Sequence, residues 1–109
     1  MTDIQINRVG EFIPHFRGVF SRNKLPLKPK AIEYGIVNMD NEDGPGTHWV
    51  AYKKFFNEVE YFDSFGNLSP PVELIEYLRE CNIHYNHDTY QSPNTVICGH
   101  LCLQFLLNK

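Results

Sequence analysis

The sequence predicts an α+β fold, a small antiparallel or mixed sheet packed against helices, and three observations carry that prediction. The middle of the chain, residues 31–63, consists of β-branched and aromatic runs separated by turn-forming residues. Segments with apolar residues at helical spacing lie around it: near the start, after Ser69 and at the end. A length of 109 residues, 42% of them hydrophobic, suits one core, so residues 1–109 read as a single domain.

Thr2 and Gln5, with Asp3 and Ile4 between them, fit a capping box that opens a short helix, and Gly10 would end it. Residues 12–20 are aromatic-rich and interrupted by Gly18, and Pro26 and Pro29 make 23–30 a loop. Ile32, Tyr34, Ile36 and Val37 mark a strand over 31–39, followed by a turn over 40–46. A second strand over 47–56 puts Trp49, Ala51 and Lys53 on one face and His48, Val50 and Tyr52 on the other. A tight turn at Asn57 and Glu58 leads into a third strand over 59–63, completing an antiparallel hairpin.

Ser69 as N-cap and Pro70 at the first position begin a second helix. Its apolar spacing is Val72, Ile75 and Leu78, with Leu74 and Cys81 beside them. Residues 83–85 and 89–90 are short enough to be edge strands. In the tail, His100, Gln104 and Asn108 form a single polar stripe, while Leu101, Cys102, Leu103, Phe105, Leu106 and Leu107 cover the other faces of a largely buried helix. Leu103 and Leu107 share a stripe that would favour self-association or a partner if it were exposed.

Three cysteines, an odd number, cannot complete a disulfide framework. Residues 1–10 do not resemble a signal peptide, and no apolar run approaches membrane-spanning length. Reduced thiols, no membrane and an intracellular rather than secreted setting are therefore expected. The formal charge of −3 argues against a generally basic nucleic-acid binder. Arg17, Arg22, Lys24, Lys28 and Lys30 form a local basic run without an acid among them, which reads as a solvated face rather than a polyanion site.

A cysteine hydrolase needs a thiolate, a base, a group that orients the base, and donors for the oxyanion. Cys98 is expected at the N-terminus of the last helix, where unpaired N–H groups and the macrodipole favour a thiolate. His48 opens the second strand after a Gly-rich turn, and Asp63 closes the third. In a hairpin turning near Asn57 the two fall close to opposite one another, within reach of a His–Asp hydrogen bond. Gln91, seven residues before Cys98, could return across the turn to offer its amide N–H, with the backbone N–H of Cys98 as a second donor.

Taken together, His48-Trp49, the run Phe62, Asp63, Ser64, Phe65, Gly66, and the stretch from Gln91 through Cys98 to Cys102 resemble the adenovirus endopeptidases (adenains) and their relatives in viruses and virus-like transposons. The ubiquitin-like-protein proteases are more distant relatives in this comparison. The order His, Asp, Gln, Cys matches this group and not papain, whose cysteine comes first. The resemblance implies a papain-like cysteine peptidase fold, with His48 as base, Asp63 as orienter, Gln91 as oxyanion donor and Cys98 as nucleophile. It also implies cleavage of polypeptides after a small residue, Gly above all, in viral or transposon-encoded precursors. Removal of a ubiquitin-like modifier is the alternative. The implied setting is the host nucleus or cytoplasm, or the virion. Trp49 and Gly46 are the candidate substrate-binding residues beside His48, and no cofactor is implied.

The sequence departs from the adenoviral pattern in ending at Lys109 and in having His100 where that pattern is apolar. Adenoviral members use DNA and a viral peptide as activators. The acidic net charge argues against DNA here, and Cys81 lies near the position that anchors the peptide. Two rival readings remain. Cys81, His84, His87, Cys98, His100 and Cys102 supply enough nitrogen and sulfur for a zinc site, although no Cys-x2-Cys pair is present. An inactive relative that binds a partner without turnover is the other.

Overall fold

The structure is a computed structural model that describes residues 3–39, 48–63, 70–85 and 98–107, with the backbone alone at 3–4 and 98–100. Its elements are α1 (Asp3–Gly10), β1 (Phe16–Ser21), β2 (Ile32–Asn38), β3 (Trp49–Phe55), β4 (Glu58–Phe62), α2 (Val72–Tyr77), β5 (Asn82–Tyr85) and α3 (Cys98–Leu107). The sheet runs β1-β2-β3-β4-β5. It is mixed: β2, β3 and β4 are antiparallel, and each outer strand, β1 and β5, pairs in parallel with its neighbour. The α+β reading holds.

Period-two alternation along β3 divides the core. Trp49 and Ala51 join Ile36, Phe62, Ile6, Cys102, Leu103 and Leu106 on the face covered by α1 and α3. Val50 and Tyr52 join Val37, Val59, Tyr61, Leu74 and Leu78 on the face covered by α2. The sheet is therefore covered on both sides, which explains why β2 and β3 are buried nearly throughout.

The hairpin expected in the middle of the chain is present, with its turn one residue earlier. Phe55 pairs with Glu58, so Phe56 and Asn57 form a two-residue loop. Phe56 has φ 57°, a left-handed conformation that such loops require and that bulky residues resist. Strand β1 was not expected. Its alternation is broken where the register slips between Phe16 and Gly18, and Gly18, at φ 142°, takes a backbone conformation that L side chains rarely adopt.

Helix α2 begins at Val72, with Pro71 extended at its N-cap and no side-chain cap. Pro70 does not open the helix because a residue preceding a proline is pushed out of helical geometry. The apolar face also differs from the expected one. Leu74 and Leu78 are buried while Val72 and Ile75 are 66% and 42% exposed. Both stripes have helical spacing, and a tertiary contact selects between them. Tyr77, on the Leu74–Leu78 side, donates to Glu33 Oε2 at 2.8 Å. Burying the two leucines stabilises the element by about 1.5–3 kcal/mol each.

Glu33 is a buried carboxylate held by four donors. Besides Tyr77 these are Arg17 Nη1 at 2.8 Å, the Lys30 backbone N–H at 2.6 Å and the Tyr52 hydroxyl at 2.5 Å. It thereby ties β1, the loop before β2, β3 and α2 together. Gly35 sits directly across from Tyr52, where a Cβ would meet the ring at 2.5 Å, so only glycine lets the phenol lie flat enough to reach Glu33.

Helix α3 confirms the largely buried tail. Leu103, however, is 5% exposed, packed in the core, and only Leu107, at 59%, is open. The two do not form an exposed stripe, because Leu103 turns toward the sheet with Cys102 and Leu106. The exposed Leu103–Leu107 stripe on which self-association was expected is therefore not formed.

Candidate active site

His48 immediately precedes β3 and Asp63 immediately follows β4. The β3–β4 register pairs Ala51 with Phe62, so continuing it places Asp63 across from Val50, and His48 is its diagonal neighbour. Near-direct opposition was expected. The diagonal offset leaves the Cβ atoms about 7 Å apart, a gap that imidazole and carboxylate together can span. His48 Nε2 lies 3.0 Å from Asp63 Oδ1. The Asp63 side chain is 2% exposed and that of His48 17%. The backbone carbonyl of His48 is itself fixed, accepting the Met39 N–H at 2.9 Å. With a carboxylate accepting from Nε2–H, Nδ1 becomes the basic nitrogen of the neutral ring.

Two contacts orient α3. Cys102 Sγ donates to the Trp49 carbonyl at 3.3 Å, and Lys53 Nζ lies 4.6 Å from the centre of the Phe105 ring. Later residues of the helix thus meet later residues of β3, and the two run the same way. The helix N-terminus, one turn or about 6 Å before Cys102, therefore lies toward the His48 end of the strand. Cys98 is the first residue of that helix. Its side chain, and all of Gln91 and Gly46, lie outside the described residues, so of the proposed set the structure brings His48 and Asp63 into contact.

Trp49 is 5% exposed and packs between sheet and α3. Tyr61, two residues before Asp63 and on its side of β4, was not singled out from the sequence. It is 2% exposed. Burial first, then the charges of Asp63 and Cys102, raise its pKa and keep it a neutral phenol. The signal was available in the i, i+2 relation.

Of the ligands in the zinc reading, the three with described side chains, Cys81, His84 and Cys102, are dispersed. Cys102 lies in the α3-side core, whereas Cys81 borders the α2-side core with its Sγ 3.7 Å from the Phe56 carbonyl. The sheet separates them, so Cys81 and Cys102 do not share a ligand site. His84 pairs instead with Glu58, Nε2 to Oε2 at 2.9 Å. His87 and the His100 side chain are outside the described residues. Among the described residues no three His, Cys, Asp or Glu side chains group around a metal position, and no helix is long and apolar enough to cross a membrane.

The protease of Bovine adenovirus 2 is 31% identical over 111 residues, an alignment that takes in 85% of this chain and 54% of the viral protein. In sequence the chain is thus similar to an adenovirus protease. It spans about half the length of that relative. In fold the chain is similar to the SUMO protease Ulp1, with a TM-score of 0.62 and 15% identity over 98% of this chain and 64% of Ulp1. It is also similar to the ASFV pS273R protease, with a TM-score of 0.52 and 21% identity over 97% of this chain and 42% of that one. No protein-family model matches the chain. The likeness in sequence is thus to an adenovirus protease, and the α+β fold is one shared with Ulp1 and the ASFV pS273R protease.

Proposed function

We propose that this chain carries the catalytic centre of a cysteine-type endopeptidase, with Cys98 as nucleophile, His48 as base, Asp63 as orienter and Gln91 as oxyanion donor. The observation that carries the reading is the His48–Asp63 hydrogen bond of 3.0 Å, with its carboxylate buried, at the end of β3 toward which the α3 N-terminus points. In this mechanism the Cys98 thiolate attacks the scissile carbonyl carbon and a C–S bond forms. The C–N bond then breaks as His48 returns its proton to the departing amine. Water, deprotonated by His48, hydrolyses the thioester, releases the acid and regenerates the thiolate. Asp63 holds the ring in the tautomer that both proton transfers need.

The substrates in this reading are polypeptides with a small residue, Gly first, before the scissile bond. They enter extended past Gly46 and the strand end that Trp49 supports from within the core. Precursors of viral or transposon-encoded structural proteins, inside the cell or the virion, are the expected class. Similarity to an adenovirus protease supports this over removal of a ubiquitin-like modifier.

The test is thiol mapping followed by turnover. Iodoacetamide at mildly acidic pH should alkylate Cys98 before Cys81 and Cys102, since a helix N-terminus and a protonated imidazole both favour a thiolate. His48→Ala should remove that advantage, and Cys98→Ala should abolish cleavage of Gly-Gly reporter peptides while circular dichroism stays unchanged. Alkylation of Cys81 first, or cleavage by Cys98→Ala at the parent rate, would overturn the assignment. Preference for a ubiquitin-like fusion over reporter peptides would select the alternative substrate.

A further inference from the structure

Lys54 is the unusual residue outside the His48–Asp63 site. It stands on β3 near the hairpin turn, six residues and about 20 Å of strand away from His48. It is only 7% exposed. Its ammonium donates to the Lys30 carbonyl at 2.8 Å and the Ala31 carbonyl at 3.4 Å. Among the described residues no carboxylate pairs with it. A buried lysine without a counter-charge is costly, and it retains a third N–H beyond the two carbonyls. Lys54 lines a cavity of about 640 Å³ between the loop before β2, the hairpin turn and the end of α2.

The other charged residues around that cavity are Lys28, Lys30 and Arg79 against Glu76 and Glu80, a balance of two positive charges once Lys54 is included. All five are exposed and can turn to water; Lys54 cannot. The loop that encloses Lys54 is pinned from behind. Arg17 donates to the Lys28 carbonyl at 3.2 Å, the Tyr77 hydroxyl, whose proton goes to Glu33, lies 3.4 Å from the same carbonyl, and the Lys30 N–H is bound by Glu33. Its geometry is set before anything binds. Leu27 and Phe56, fully exposed and 58% exposed, add an apolar rim.

We propose that this cavity is an anion-binding site whose floor is the Lys54 ammonium, taking the oxyanion group, carboxylate or phosphate, of a larger and partly apolar ligand. The bound oxygen completes the third hydrogen bond of Lys54 and neutralises its charge, and Lys28, Lys30 and Arg79 hold the group from the rim. The volume exceeds what a free ion fills, and this leaves room for the body of the ligand against Leu27 and Phe56. The site is remote from His48 and does not depend on the peptidase reading.

Amide chemical shifts followed at constant ionic strength test it, with inorganic phosphate and sodium acetate as separate probes. Saturable shifts confined to Lys30, Ala31, Lys54 and Phe56 are expected. Lys54→Met, which keeps the aliphatic stem, should weaken binding about tenfold or more. Tighter binding of phosphate assigns a phosphate ligand, and tighter binding of acetate a carboxylate. Should Lys54→Met fail to fold, the exposed-rim variant Lys30→Gln with Arg79→Gln should still weaken binding severalfold. Non-saturable shifts spread over the surface lysines, or undiminished affinity in a folded Lys54→Met or in the rim variant, would overturn the proposal.

Discussion

The buried carboxylate of Asp63 holds His48 through Nε2, so its contribution to the proposed reaction is one of tautomer and orientation rather than proton transfer. Asp63→Asn tests that role sharply. The amide has the same shape but can offer an N–H to Nε2, which would leave the proton on Nδ1 and the base facing the wrong way. Turnover should fall by about 10³–10⁴, while the melting temperature shifts by only a few degrees. Activity within tenfold of the parent would show that Asp63 is a packing residue of the strand end. Tyr61, buried beside Asp63, adds to the low-dielectric surroundings in which that hydrogen bond acts.

At the scale of elements, the β3–β4 hairpin determines which residues can meet at its open end. The two-residue turn sets the register, and a slip of one residue would send His48 or Asp63 to the opposite face. That turn carries local strain, because Phe56 takes φ 57° while 58% exposed, with an edge-on contact to Phe55 as its compensation. Phe56→Asn should therefore stabilise the domain by about 0.5–1 kcal/mol, since Asn tolerates the left-handed region. Urea denaturation measures the change. A loss of stability would mean that the Phe55–Phe56 contact outweighs the strain.

At the scale of the whole molecule, the α2-side core contains phenols that must stay neutral. Tyr52 is wholly buried with its hydroxyl on Glu33, and Tyr61 is 2% exposed. Burial is the first cause of a raised pKa in both, and the neighbouring carboxylates, Glu33 and Asp63, raise them further. In the unfolded chain these phenols ionise near the ordinary value of about 10, whereas in the fold they do not. Stability is therefore full below pH of about 10 and falls as pH rises above it, by up to about 1.4 kcal/mol per pH unit for each buried phenol. Thermal melts between neutral pH and pH of about 11 should show the decline, and Tyr52→Phe should make it shallower. A flat profile would contradict the burial of both hydroxyls.

Much of this was legible in the chain itself, for reasons that are local. Alternation along 49–53 determined which side chains share a face of β3, the turn near Asn57 determined that two strands fold back on each other, and the two facts together brought His48 near Asp63. The apolar tail likewise determined that α3 is buried. What the tertiary structure decided was non-local. Strand β1 pairs in parallel across a loop, so its slip at Gly18 had no local counterpart to reveal it. Helix α2 had two equally good apolar stripes until Tyr77 met Glu33. Glu33 and Lys54 are charged residues that local pattern assigns to the surface. Partners distant in sequence, four donors for Glu33 and two carbonyls for Lys54, are what make their burial possible, since a charge leaves water only where other groups replace its hydration.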